Sequence, residues 1–113
     1  MSILASLQAA TRPDREIDAA IAWSVGWTKL RPHRGWSSPI PDGQWHEFPP
    51  AFTGSIDAAD SLFAPGQQYL MHRGEEGGAR VLRPNGRGNF DGSNIGPTPA
   101  IALCIAWAAE KGV

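Results

Sequence analysis

The chain carries one cysteine, Cys104, so no internal disulfide can form. A lone thiol agrees with a reducing compartment and removes every zinc pattern built on paired cysteines. The three histidines, His33, His46 and His72, follow no ligand spacing either. Neither a metal nor a cofactor is therefore expected. Charge is also scarce. Lys and Arg number 10 against 11 Asp and Glu, a formal net charge of −1. That leaves no global field to draw the protein to duplex DNA or to an acidic membrane. The longest apolar run, Ala100 to Ala109, is about half of the ~20 residues needed to span a bilayer. Met1-Ser2-Ile3-Leu4 lacks the charged start and long apolar stretch of a signal peptide. These absences predict a soluble, intracellular protein.

What is present is a chain of 113 residues, 42% apolar, read as one domain over 1–113. A chain of this length buries roughly two thirds of its unfolded surface, enough for a core without staples. Glycine and proline are abundant, at 13 and 10, and not periodic, which predicts a loop-rich fold. Five tryptophans are many for this length, and tryptophan concentrates in cores and interface anchors.

Residues 2–10 read as a short helix with Ile3, Leu4 and Leu7 on one stripe. Thr11 is placed to cap a second helix running to about Val25. Its apolar face is Ile17, Ala20, Ile21, Ser24 and Val25, and Gly26 ends it. Residues 27–54 interleave five prolines with Trp27, Trp36, Trp45, Phe48 and Phe52. Prolines at that density forbid a long helix, and so many aromatics predict an ordered region. Strands are expected at 27–31 and 44–48, with Asp42-Gly43 as the turn between them. Ser55 caps a short helix from Ile56 to Phe63. Residues 67–73 and 79–83 form the clearest hairpin, and 85–96 read as a loop. Thr98, Pro99 and Gly112 bracket a final helix, apolar on nearly every side and so buried. The order predicts an α+β fold, a small antiparallel sheet packed with helices.

No catalytic constellation is visible. There is no G-x-S-x-G elbow. Cys104 lies in the most apolar helix, where a thiol is inert. Asp57 and Asp60 sit near a helix start, where carboxylates complement the dipole. The stretch from Gly86 to Gly92 has misplaced glycines and no following βαβ unit, so it is not a dinucleotide fingerprint. The chain reads as no enzyme. Arginine near aromatics is instead the chemistry that grips partners, phosphates and bases. Lys29, Arg31 and Arg34 cluster with His33 and Trp36, and Arg80, Arg83 and Arg87 form a second run. Arg80 and Arg83 lie an odd number apart and should point to opposite faces of their strand. The candidate binding residues are Arg31, Arg34, Trp36, Trp45, Arg80, Arg83 and Arg87.

Three stretches carry a family likeness: Arg15 to Ala22 followed by Gly26-Trp27, Phe52 to Ala59, and Thr98 to Ala106. On them the chain resembles the phage ABA sandwich domain of small phage and prophage proteins. Residues 32–50 depart from that pattern. The resemblance implies an α-β-α layered fold and a mobile-element origin, and it supplies no catalytic residues. Together with the Trp- and Arg-rich segments it predicts a binding protein that inhibits a bacterial defence complex, in the manner of an anti-CRISPR. Two alternatives stay open: a sponge for a phosphorylated or cyclic nucleotide signal, built as a homo-oligomer, and a virion or packaging accessory.

Overall fold

The computed structural model describes residues 2–30, 34–39, 42–74 and 77–113. It is an α+β protein with helices α1 (Ile3–Ala9), α2 (Arg15–Ser24), α3 (Ile56–Asp60) and α4 (Pro99–Lys111). The strands form two antiparallel three-stranded sheets rather than the single sheet expected.

Ser2 caps α1 by accepting from the Ala5 amide, and Leu7 is the residue α1 buries. The cap of α2 is Asp14, not Thr11. Its Oδ1 accepts from the Glu16 and Ile17 amides at 2.8 and 3.2 Å. A full negative charge there both satisfies two orphan donors and meets the positive helix end, which a hydroxyl at Thr11 cannot match. The buried face of α2 is Ile17, Asp18, Ile21 and Ala22. The expected stripe is thus rotated, leaving Ser24 exposed and drawing a carboxylate inside. Gly26, at φ +99°, turns the chain out of the helix.

The first sheet joins β1 (Thr28–Lys29), β2 (Trp36–Pro39) and β3 (Asp42–His46) in that order. Trp36 pairs with both Lys29 and His46, and Ser37 with Trp45. The segment 27–54 is therefore a small sheet at its core. Asp42 and Gly43 open β3 instead of forming the turn, since Asp42 already pairs with Pro39. The ladder slips between Ser37 and Pro39, where proline has no amide to donate.

The second sheet joins β4 (Leu70–Arg73), β5 (Ala79–Pro84) and β6 (Phe90–Gly96). The expected hairpin is β4–β5, closed by the Gly74 amide donating to Gly78 O at 2.7 Å. Strand β6 lies where a loop was expected and pairs with β5 from Ala79–Gly96 to Pro84–Phe90.

Helix α4 covers one face of this sheet and also meets α1 and α3. Thr98 caps it, accepting from the Ile101 amide at 3.2 Å, Pro99 opens it, and Gly112 closes it at φ +70°. Every residue from Ala100 to Ala108 is buried. Around it pack Leu7, Ile21, Phe52, Phe63, Ala79 and Val81. Among the described residues no helix is long and apolar enough to cross a membrane.

Candidate functional site

Helix α2 and the first sheet face one another across a cleft of about 830 Å³. Its depth is set by one buried polar contact. Thr53 donates to Asp18 Oδ1 from both its amide and its hydroxyl, each at 2.8 Å. The Asp14 amide in turn donates to Thr53 Oγ1 at 2.8 Å. The 50–54 segment is thereby tied to the start of α2. Asp18 is only 6% exposed yet lines the cleft. Burial raises its pKa above the ordinary carboxylate value, and Asp14 adds to the rise. The two Thr53 bonds and Arg15 oppose it. Among the described residues no donor reaches the second oxygen, Oδ2.

Trp36, 7% exposed, supplies the aromatic floor beside Asp18. Its ring meets that of Trp23 edge-on at 6.0 Å. Its place on the floor follows from β2 being the central strand of its sheet, with Lys29 as its neighbour on β1. Phe48 stands at the rim, 54% exposed, with the Arg15 guanidinium 4.1 Å above its ring. Lys29, Arg34 and Glu47 are the other exposed charges lining the mouth.

Trp45 belongs to the opposite face of the sheet, since it pairs with Ser37 rather than Trp36 and side chains alternate along a strand. It is 57% exposed but held, because its Nε1 donates to Arg34 O at 3.0 Å. Gly35, at φ +109°, permits this. A Cβ there would collide with Trp45 Nε1 and come within 2.8 Å of His46 O.

Of the expected binding residues, Arg34, Trp36 and Trp45 thus meet around one sheet, and Arg31 lies outside the described residues together with His33. The second arginine run does not join them. Arg83 is bonded to Glu110 Oε2 at 2.8 Å, with its side chain only 13% exposed. It also donates to Gln68 O and stacks 4.9 Å from the Phe63 ring, a structural set of partners. Arg80 is exposed on the other face of β5, beside His72 and Ile95. Arg87 sits exposed in the β5–β6 connection, where its amide donates to Asn85 Oδ1 at 2.8 Å. Sequence reasoning missed Arg15, Asp18, Phe48 and Thr53. Only Asp18 left a trace, as a charged residue four positions after the cap and one after Ile17.

No protein family, curated protein or solved structure matches the chain. Cys104 is buried in α4, its Sγ donates to Phe52 O at 3.2 Å, and burial with the nearby Asp18 charge pushes its pKa up to about 12. Among the described residues no group of three or more His, Cys, Asp or Glu could hold a metal ion. The cleft combines a buried aromatic, Trp36, and a buried carboxylate, Asp18, with exposed Arg15, Lys29, Arg34 and Glu47.

Proposed function

We propose that the protein is a non-catalytic binding protein of phage or prophage type that inhibits a bacterial defence complex by covering part of its surface. The observation that carries this reading is Trp45, more than half exposed and yet fixed by its bond to Arg34 O. An ordered, exposed tryptophan beside arginine matches the composition of interface hot spots, and its side-chain entropy is already spent before binding. The resemblance to the phage domain supplies the host setting. In a plasmid-interference assay, the wild-type protein should relieve defence by at least tenfold. Trp45→Ala and Arg34→Ala, folded by circular dichroism, should lose most of that effect. Full relief by both variants, or no relief by the wild type against any defence system tried, would sink the reading.

A second reading is sequestration of a phosphorylated nucleotide. It draws on the cleft, whose aromatic floor and cationic mouth suit such a ligand, and not on Arg83 or Arg87.

A further inference from the structure

The cleft is graded from depth to mouth. Asp18 and Trp36 are buried at its floor, while Arg15, Lys29, Arg34, Glu47 and Phe48 are exposed at its edge. A ligand complementary to that gradient has a hydrogen-bond donor at one end, a planar apolar middle and an anion at the other end. We propose that the cleft binds a purine nucleoside phosphate, with guanine preferred. Its amino-bearing base edge meets Asp18, its ring lies on Trp36 and Phe48, and its phosphate sits among Lys29, Arg34 and Arg15. The proposal rests on the nucleotide reading above and names the base, its contacts and the residues that hold it.

The carboxylate decides the base. Oδ1 is occupied by Thr53, and Oδ2 has no donor among the described residues. Among the described residues no buried side-chain oxygen lacks a partner, so Oδ2 is not sealed inside the core; Asp18 lines the cleft, and a ligand donor can reach its open oxygen there. Guanine presents two adjacent donors, N1–H and the 2-amino group, to a carboxylate. Adenine presents one amino group. Uracil flanks its single N–H with two carbonyls that a carboxylate repels. Proteins read unstacked bases in this way, by aromatic stacking and hydrogen bonds to the base edge.

The mouth decides the other end. The Arg15 guanidinium carbon lies 4.1 Å from the Phe48 ring centroid, a cation–π contact that places a charged N–H donor group at the mouth for a phosphate. Two acids are present as well. Asp14 is engaged by the first-turn amides of α2, which leaves Glu47 as the carboxylate facing the three cations at the mouth. Counted together, the mouth sets three cations, Arg15, Lys29 and Arg34, against two carboxylates, Asp14 and Glu47, an excess that suits an anion, while the third acid of the lining, Asp18, lies at the floor. The volume, about 830 Å³, is within the range of small-ligand sites.

A free nucleotide and the terminal nucleotide of an RNA strand share this chemistry. Isothermal titration of the full chain with GMP, AMP, UMP, guanosine and a 5′-phosphorylated oligonucleotide beginning with G tests it. GMP should bind at least tenfold tighter than UMP or guanosine, with AMP between. Asp18→Asn should abolish the preference for GMP over UMP. Lys29→Ala, at an exposed position, should weaken GMP at least threefold without changing the circular dichroism spectrum. Oligonucleotide binding no tighter than GMP assigns the site to free nucleotide, and a clear gain assigns it to a strand end; either supports the proposal. Equal affinity for all mononucleotides, or GMP binding untouched by both substitutions, overturns it while leaving nucleotide capture standing. Binding of none of these ligands overturns both.

Discussion

A carboxylate that nature could have left in solvent is held inside, at Asp18, and the cause is local. Thr53 offers two donors to one oxygen, and its own hydroxyl is fixed by the Asp14 amide. Those bonds reduce the desolvation penalty without removing it, so the pKa of Asp18 stays raised. The consequence for stability has a definite sign. A carboxyl with a raised folded pKa binds its proton more tightly in the native state than in the unfolded chain. Its favourable contribution is complete below the unfolded value and is lost as pH rises through the folded one. Asp18→Asn keeps an acceptor for Thr53 and removes the buried charge. The variant should therefore melt above wild type at pH 7, and the gap should close as pH falls below the ordinary Asp value of about 3.9. Paired melting curves from pH 7 to 3 check this. A variant that melts lower than wild type at pH 7 would mean that the carboxylate stabilises the fold. Gain of stability with loss of guanine preference would be the signature of a residue kept for binding. Little of this was legible in the sequence. The Asp18–Thr53 contact joins residues 35 apart in the chain, and no local pattern announces a partner at that distance.

Elements were legible where local chemistry decides them. Helix α4 has a capping hydroxyl at Thr98, a proline at its first position and a left-handed glycine at Gly112, each a short-range signal. The β4–β5 hairpin follows from alternation and a glycine turn. Strands β2 and β6 were not read from the sequence. Strand β2 is four residues long, ends in Pro39 and sits at the centre of its sheet. Strand β6 contains Gly92 and Asn94, residues of low strand propensity. Tertiary packing overrides that propensity. Asn94 Nδ2 donates to Val81 O at 3.2 Å, and Gly96 lets the strand approach α4. A Cβ on Gly96 would come within 2.7 Å of the Ala102 amide and 3.0 Å of its Cα. Both are backbone atoms and cannot swing aside. Gly96→Ala should thus separate β6 from α4 and lower stability by about 1–3 kcal/mol, the cost of overpacking, measured by urea unfolding. Gly66→Ala, with open space around its Cβ but φ at +89°, isolates backbone strain, which Gly96 does not carry because its φ is not positive. No loss in Gly96→Ala would show that close packing there contributes nothing.

The two sheets are unequally anchored in the whole molecule. Helix α4 is buried along nine consecutive residues and leans on β5 and β6. The first sheet gives the core Trp36, and α2 and the 50–54 segment tie its surroundings together through Asp18. The radius of gyration, 14.4 Å, exceeds the ~13 Å of an average domain of this length, as expected when one sheet projects from the core. Local opening costs least where few apolar contacts hold an element. Amides of β2 and β3 should therefore exchange with deuterium at least tenfold faster than those of Leu103 to Trp107. The cleft lies on that less anchored side, so a bound ligand contributes its stabilisation there. Saturating GMP should slow exchange at Trp36 and its β1 and β3 partners while leaving α4 unchanged. Exchange at one common rate throughout would instead mean that both sheets open in a single cooperative event, and the cleft could not be ordered separately from the core.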